Sequence, residues 1–333
     1  MLDTSVPFPP FTCPLHGAPL THSGESLVCS HGHGYSVVDG IPRFVPHDTY
    51  AAAFGAQWKH YRLTQLDSYT GSTITRDRMR RCLGEDLWSR IGGMHVLECG
   101  CGAGRFTEVL LDIGARVTSV DLSDAVDANA ESFPRSSTHR IAQADILALP
   151  FAPQQFDVVF CLGVIQHTPD PEQTIAHLYD HVAPGGWLVI DHYKPRLLWW
   201  FRTAPYIRMI LRRLSPETGL RVTNWFVNTF LPLHKRYRHI PPLRILLNRL
   251  SPVFYYYDDF PELSDRIHYE WSLLDTHDAL TDWYKFRRTT TQIRRTLEQL
   301  GLVDIEVWEG GNGVEARGGR ADEGSAYADW RYG

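Results

Sequence analysis

The sequence lacks the features that mark several protein classes. No run approaches the roughly 18–20 apolar residues needed to span a bilayer, so no membrane-crossing helix is expected. The start, MLDTSVPFPP, has no basic region and no long apolar stretch, so a secretory signal is not expected either. Cysteine is limited to 6 in 333 residues, too few to suggest a disulfide scaffold. Cys99, Cys101 and Cys161 lie in apolar strand-like contexts, and a reducing cytoplasm is the expected compartment. No Asn/Asp-Pro-Pro-Tyr motif of the kind used for amino-methylation of nucleobases is present. One stretch nearly lacks acid: from His192 to Tyr257, Glu217 stands alone against 12 Lys and Arg.

What is present describes a globular protein. Hydrophobic residues make up 43% and charged residues 21%, which is enough apolar content to bury a core and excludes a disordered chain. The formal net charge of −5 hides a polarity. The 192–257 stretch carries +11 and the remainder −16, which excludes a uniformly basic nucleic-acid binder.

Four segments follow from the pattern. Residues 11–46 read as a small separate unit with two Cys/His knuckles. From Tyr50 to about Arg90 the pattern is helical, with Phe54, Trp58 and Tyr61 at i, i+4 and i+7. A βα series then runs through strands at 94–100, 115–123, 139–145, 156–163 and 185–193, resumed by a helix at 292–300 and strands at 302–310 and 313–318. Alternating strands and helices predict a mostly parallel sheet with helices on both faces, and the last two strands are too close for a crossover, so they form an antiparallel hairpin. The expected domains are 11–46, then 50–193 with 271–318, with a basic aromatic insert at 194–270 and a flexible tail at 319–333.

The strongest motif is Glu98-Cys99-Gly100-Cys101-Gly102-Ala103-Gly104-Arg105-Phe106. A glycine turn between a first strand and a helix lets a ligand approach the backbone closely. Asp121 ends the second strand and can accept hydrogen bonds from a ribose diol, so a nucleoside-containing cofactor is implied. The G-x-G-x-G spacing, preceded by the acid Glu98, suits a cation better than a pyrophosphate. That favours S-adenosylmethionine (SAM) over a nicotinamide dinucleotide.

The combination resembles the class I SAM-dependent methyltransferases, in the branch of bacterial type 11-like enzymes. Asp121-Leu122-Ser123, Gln143-Ala144-Asp145-Ile146, Phe156-Asp157-Val158-Val159, Gly163-Val164-Ile165-Gln166-His167 and Pro184-Gly185-Gly186 each resemble a motif of that family. The resemblance implies a Rossmann-like seven-stranded sheet. It places Gly100, Cys101, Gly102 and Gly104 on the methionine part of the cofactor with Glu98 assisting. It places Asp121 on the ribose, Leu122, Asp145 and Ile146 at the adenine, and Leu162 beside it. Phe54-Gly55-Ala56-Gln57-Trp58 resembles a helix that covers the cofactor, which makes Gln57 and Trp58 further candidates; a helix simply packed on the body is the other reading.

Cys13-x2-His16 and Cys29-x3-His33 supply four N/S ligands in two close pairs, the pattern of a tetrahedral structural zinc. The segment resembles a zinc-ribbon-like module that precedes some bacterial methyltransferases. His31 competes with His33 as the fourth ligand, and a metal-free knuckle is the alternative.

A hydroxyl acceptor must lose a proton, and His is suited to take it near neutral pH. His167, after the fourth strand, is the first candidate base; in the family a His there also serves only to shape the pocket. His192 is the second, and Asp191 and Asp275 could join it around a divalent ion. The insert, Pro195-Arg196-Leu197-Leu198-Trp199-Trp200-Phe201 and onward, interleaves apolar residues with Arg. It reads as an acceptor lid or as an interfacial element on an anionic membrane surface. The expected activity is methyl transfer to a hydroxyl or amine of a small-molecule, sugar, glycan-lipid or secondary-metabolite acceptor, expected to be anionic because the insert is basic. An rRNA methyltransferase and a non-catalytic SAM-fold partner are the alternatives, with nucleic acid the less favoured partner. The expected location is the cytoplasm or its membrane face; the oligomeric state and the acceptor's identity stay open.

Overall fold

The computed structural model of the protein describes residues 7–45, 61–195, 201–311 and 313–322. Four short strands come first, β1 (Leu20–Ser23), β2 (Ser26–Cys29), β3 (Gly34–Val38) and β4 (Ile41–Pro42), paired antiparallel in that order. Helices α1 (Asp67–Thr70) and α2 (Ile74–Arg90) follow. The alternating series is β5 (His95–Cys99), α3 (Arg105–Asp112), β6 (Arg116–Asp121), α4 (Ala125–Ser132), β7 (His139–Gln143), β8 (Phe156–Cys161), α5 (Pro171–Asp180) and β9 (Val182–Tyr193). Next come α6 (Ala204–Leu211), α7 (Pro216–Tyr237), α8 (Pro241–Leu250) and α9 (Asp265–Thr281). The chain closes with α10 (Thr290–Gln299), β10 (Val303–Gly310) and β11 (Gly313–Gly319).

The large sheet has seven strands in the order β10-β11-β9-β8-β5-β6-β7. Its central strands are parallel, and β10 and β11 are antiparallel, as the short connection between them requires. Strands covered on both faces read as near-continuous apolar runs, and Val96, Leu97, Val158, Val159 and Phe160 are all buried. α3 sets Phe106, Val109 and Leu110 at i, i+3 and i+4, which is why RFTEVLLD forms an amphipathic helix against the sheet. α5 starts where Asp170 caps Gln173 N–H and Pro171 fills the first helical position. α10 starts with a capping box between Thr289 and Gln292.

The described chain divides into two compact units at places that differ from the expected boundaries. One unit holds residues 7–45, 74–195 and 284–322; the other holds 61–73 and 201–283. Residues 11–45 therefore do not stand apart. Phe44 N–H donates to Gln143 O at 2.8 Å and Arg43 bridges in parallel to Gln143, so the end of the small sheet extends the β7 edge. Thr12 N–H donates to Pro150 O at 2.8 Å, and Arg43 pairs with Asp127 at 2.5 Å. Leu27 and Phe44 join the main core, where Phe11 stacks on Phe151. An open β7 edge would expose unpaired amides, and the module covers it. Residues 271–283 and 61–73 go with the helical unit rather than with the sheet. Residues 319 and 320, expected in the tail, belong with the sheet. Gly319 still pairs with Trp187, Arg320 N–H donates to Gly186 O at 2.8 Å, and the Arg320 guanidinium donates to Tyr179 O and Val182 O.

The helical unit has its own core, built from Val227, Leu231, Val253, Tyr257 and Leu273, with Ala204, Leu211 and Leu280 in a second cluster. Buried Asp282 pairs with Arg208, whose guanidinium also donates to the carbonyls of Asp282 and Trp283. Among the described residues, no helix is long and apolar enough to cross a membrane.

One buried cluster ties α2 to the sheet. Register sets Glu315 of β11 opposite Asp191 of β9, and both carboxylates are closed off from water. Like charges placed opposite each other repel. α2 answers with two arginines: Arg81 grips Glu315 in a two-pronged contact, 2.8 Å at each oxygen, and Arg78 pairs with Asp191. Trp308 Nε1–H donates to Glu315 at 3.0 Å. Burial works to raise both acids. It prevails at Asp191, whereas Arg81 holds Glu315 below the ordinary carboxylate range. Removing Arg78 leaves Asp191 buried without its cation. Arg78→Ala is expected to destabilise the fold by about 3–5 kcal/mol in urea denaturation; a loss under about 1 kcal/mol, the size of an exposed ion pair, would contradict this account.

Candidate functional site

The loop after β5 turns back on itself through glycines. Gly100 N–H and Cys101 N–H both donate to Val120 O, at 2.8 and 3.0 Å, which pins the loop to β6. Gly100 has φ +74°, and a Cβ there would lie 2.2 Å from the Val164 side chain. Gly104 has φ +100°, and a Cβ there would lie 2.6 Å from the Phe133 ring. Both positions combine left-handed backbone with a close neighbour, so glycine is required twice over. The result is a backbone cradle at the start of α3.

Asp121, at the end of β6, holds the loop from the other side. Its Oδ2 accepts Gly102 N–H at 2.9 Å, and its Oδ1 accepts Ser123 N–H at 2.9 Å and Ser123 Oγ–H at 2.7 Å. Burial raises its pKa, opposed by these bonds. Three donors leave Oδ2 a lone pair for one more hydroxyl. Beyond β7, Asp145 caps a single 3-10 turn (Ile146–Ala148) by accepting Leu147 N–H at 2.9 Å. Ile146 is buried, and Leu122 and Asp145 are half-buried. Leu162, after β8, is buried beside Phe106 and Phe160. Cys101 is buried, and burial raises its thiol well above the ordinary range. Gln57 and Trp58 lie outside the described residues.

Glu98 is not at the surface of this cradle but behind it. It is 1% exposed, and Oε2 accepts Thr107 Oγ–H at 2.6 Å and Ser119 Oγ–H at 2.8 Å. Asn129 donates to Thr107 at 2.9 Å, and His139 Nε2 lies 3.1 Å from Ser119 Oγ. Oε1 has no partner among the described residues. Burial pushes the Glu98 carboxyl up to about 7 and His139 down to about 4. His139 Nδ1–H donates to Phe133 O at 3.0 Å, so a neutral His139 turns a lone pair toward Ser119. The single Ser119 proton then satisfies either His139 or Glu98, and a proton on Glu98 satisfies both. Burial therefore favours the neutral acid here over the full negative charge expected at this position.

His167 sits in a 3-10 turn (Ile165–His167) beyond β8, on the side where the sheet's carboxyl ends meet a ligand. Its Nδ1 lies 3.2 Å from Tyr284 O, which assigns the proton to Nδ1 and leaves Nε2 a lone pair. Nε2 lies 3.4 Å from Tyr193 OH at the end of β9, and the two rings meet edge to face. Neither Tyr193 nor the buried neighbour Gln166 was anticipated. Gln166 is fully buried, and both side-chain polar atoms lack a partner among the described residues. His192 behaves differently. It is buried, and burial pushes its pKa down to about 4, so its protonated form is disfavoured. Asp191 and Asp275, the acids considered beside it, each have partners within their own unit. Asp191 is engaged by Arg78 and by Gly163 N–H at 2.6 Å, and Asp275 accepts from Gln65 and Tyr256.

Among the described residues, the group compact enough for a metal is Cys13, His16 and Cys29, whose donor atoms all lie within 4.8 Å of one another. Cys13 Sγ is 3.4 Å and Cys29 Sγ 3.8 Å from His16 Nδ1. Burial acts to raise the Cys13 thiol, but hydrogen bonds from Tyr35 and nearby amides outweigh it and hold the thiol below its ordinary range. His33 is not in the converged trio. Its ring centre is 4.8 Å from that of His16, and the His31 ring stacks on His16 at 4.4 Å.

Comparison with known proteins fits this geometry. A family profile described as a methyltransferase domain matches residues 97–190. The ubiquinone biosynthesis O-methyltransferase of Pseudomonas fluorescens is 30% identical over 177 residues, 46% of this chain and 76% of the relative. This chain belongs to the class I SAM-dependent methyltransferases. The enzyme of the same name from Pseudomonas putida is 32% identical over 175 residues, 46% of this chain and 75% of the relative. Among solved structures, magnesium protoporphyrin IX methyltransferase from Synechocystis PCC 6803, with bound SAH, aligns at a TM-score of 0.43 and 16% identity, over 82% of this chain and 97% of the other. The residues present fit the cofactor of this methyltransferase: the cradle is bare backbone where a Cβ would intrude, and an unpartnered carboxylate oxygen lies behind it.

The Glu98 network makes the stability of the ligand-free methyltransferase depend on pH. A carboxyl whose folded pKa is raised stabilises the fold fully below its unfolded value, near 4.5, and loses that contribution as pH rises through about 7. At about 1.4 kcal/mol per pKa unit, the contribution is at most ~3 kcal/mol. Glu98→Gln is expected to flatten the fall in urea stability between mildly acidic and mildly basic pH. A variant whose profile runs parallel to that of the unmodified protein would refute the raised carboxyl.

Proposed function

We propose that the enzyme transfers a methyl group from SAM to a hydroxyl of an anionic small molecule, sugar or glycan-lipid, with His167 taking the proton. The observation that carries this reading is the His167 ring, held by Tyr284 O at Nδ1 so that Nε2 faces Tyr193 OH at the carboxyl ends of β8 and β9. The matched relatives are named O-methyltransferases, which supports a hydroxyl over an amine. The basic 192–257 stretch supports an anionic acceptor, met at an anionic membrane face. The helical unit, inserted between β9 and α10, is the part we assign to acceptor selection.

When bound, SAM supplies a sulfonium-activated methyl that a nucleophile displaces in line. The chain's task is to position the two partners and exclude water. In this assignment Gly100, Cys101, Gly102 and Gly104 present backbone to the methionine part, and Asp121 Oδ2 accepts one ribose hydroxyl. Leu122, Asp145 and Ile146 border the adenine, with Leu162 beside them. His167 Nε2 accepts the acceptor's proton, and Tyr284 O stabilises the resulting imidazolium through Nδ1–H. His192, buried and hard to protonate, is the weaker candidate.

Calorimetry with SAM and with its demethylated product tests the cradle. Micromolar binding to the unmodified protein is expected, with more than about 100-fold weakening in Gly104→Ala, given the strained backbone and the Phe133 ring. In the same assignment His167→Ala keeps cofactor affinity and lowers turnover by about 10²–10⁴-fold. A folded protein that ignores SAM would remove the whole reading; full turnover in His167→Ala would remove only the base.

We also propose that Cys13, His16 and Cys29 hold a structural zinc, with His33 completing a tetrahedral set. The convergence of three donor atoms supports it, and the lack of an evident water-bearing position argues for a structural role. Metal analysis of the purified protein is expected to return about one zinc per chain, lost in a Cys13→Ser, Cys29→Ser variant; metal-free protein with an unchanged melting temperature would overturn it.

A further inference from the structure

In the helical unit, α8 is a helix without a buried residue. Its sequence, PPLRILLNRL, is half aliphatic, yet Ile245, Leu246 and Leu250 each leave more than half of their surface in water. A helix on a globular body normally turns such a stripe inward. α6 repeats the pattern. It buries Ala204, Pro205 and Leu211 but exposes Met209 and Ile210, and Phe201 just before it is 71% exposed.

The two helices meet. Thr203, the residue before α6, donates its N–H to Arg249 O at 3.0 Å and its hydroxyl to Leu250 O at 2.8 Å. The start of α6 therefore abuts the end of α8, and the exposed Phe201 and Leu250 lie at one junction. The exposed apolar residues of both helices are thus one neighbourhood rather than scattered singles, and a patch of that kind marks an interaction site.

Charge narrows the partner. Residues 201–250 contain ten Arg and Lys against one acid, Glu217. Some are spoken for: Arg208 pairs with Asp282, Lys235 with Asp265 and Arg238 with Asp258. Arg213, Arg244 and Arg249 are exposed, and none of them has an ion pair among the described residues. An apolar face flanked by unpaired arginines suits the boundary between headgroups and acyl chains of an anionic bilayer. A second copy of the chain would bring two strongly positive faces together. A nucleic acid would satisfy the arginines but leave the aliphatic residues in water.

We propose that α6 and α8 form a docking face for an anionic lipid bilayer, with Ile245, Leu246, Leu250 and Phe201 entering the headgroup boundary and Arg213, Arg244 and Arg249 contacting lipid phosphates. This deepens the reading of an enzyme that meets its acceptor at a membrane, and it rests on that reading. The face gives the enzyme two-dimensional access to an acceptor that is itself held in the bilayer. Its binding is electrostatic and apolar together, so neither part alone suffices.

The test is flotation of the full chain with vesicles of phosphatidylcholine alone and of phosphatidylcholine mixed with phosphatidylglycerol. The expected result is flotation with the mixed vesicles only, weakened by high salt. Arg244→Glu with Arg249→Glu is expected to lower partitioning by about tenfold or more, and Ile245→Ser with Leu246→Ser to abolish it at unchanged charge. All four positions are exposed, so the variants should fold, and their SAM affinity by calorimetry should equal that of the unmodified protein. That readout separates a failure of docking from a failure of the methyltransferase site. Equal partitioning to both vesicle types, or partitioning that both variants retain, would overturn the proposal. So would a dimer that the serine variant dissolves, which would assign the face to a second copy, or retention of an RNA oligomer without vesicle binding.

Discussion

Two carboxylates lie side by side in the dry interior, Asp191 on β9 and Glu315 on β11, and their neutralisation organises the ground around the cradle. Buried charge is tolerated only when paired, so α2 must deliver Arg78 and Arg81 to this point. Asp191 uses its other oxygen to accept Gly163 N–H, which fixes the backbone just beyond β8. The next residue, Val164, packs so closely over Gly100 that no side chain fits there. A line of contacts therefore runs from a helix on the sheet's face, through a buried ion pair, to the glycine loop after β5. The loop that carries Val164 also carries His167, three residues further on, so the base candidate and the cradle share one anchor.

The second buried system, around Glu98, shows the opposite solution. No arginine meets this carboxyl; hydroxyls of Thr107 and Ser119 do, and burial favours the neutral acid. A site that binds a cation can use such a group, because a positive ligand nearby draws the carboxyl toward its ionised form. Charge at Glu98 is thus a property that a cation beside it would strengthen. Asp121 complements it from the strand end, where three donors hold the carboxylate oriented but leave it capacity.

The helical unit buries the Asp282–Arg208 pair but leaves most of its other charges toward water. Its acids sit mainly in α9 and the loops around it, where they pair with a few arginines, while α8 keeps both its aliphatic residues and its arginines in water. A domain that minimised exposed apolar surface would not be built this way, which is why the polarity of the chain reads as a matter of surfaces and partners rather than of folding.

Much of this was legible in the order of residues. Strand and helix positions followed from apolar periodicity, since parallel strands covered on both faces need near-continuous apolar runs and surface helices need a stripe. The glycine loop, Asp121 and the closing hairpin were local in sequence, and local chemistry specified them. Other features joined residues that are distant along the chain and carry no motif. The Arg78–Asp191 and Arg81–Glu315 pairs link α2 to strands more than a hundred residues away, and Asp191 looked instead like a metal ligand. Tyr193 met His167 only because β8 and β9 are neighbours in the sheet. The small N-terminal sheet looked independent because its own strands pair locally, yet the bare β7 edge drew it into the main core. The sequence by itself determined the fold class, the position of the glycine loop and the sign of each region's charge, because these depend on near neighbours and on composition. Only the tertiary structure decided which charges are buried, which histidines burial keeps neutral and which apolar faces stay in water, because these depend on what packing brings against each side chain.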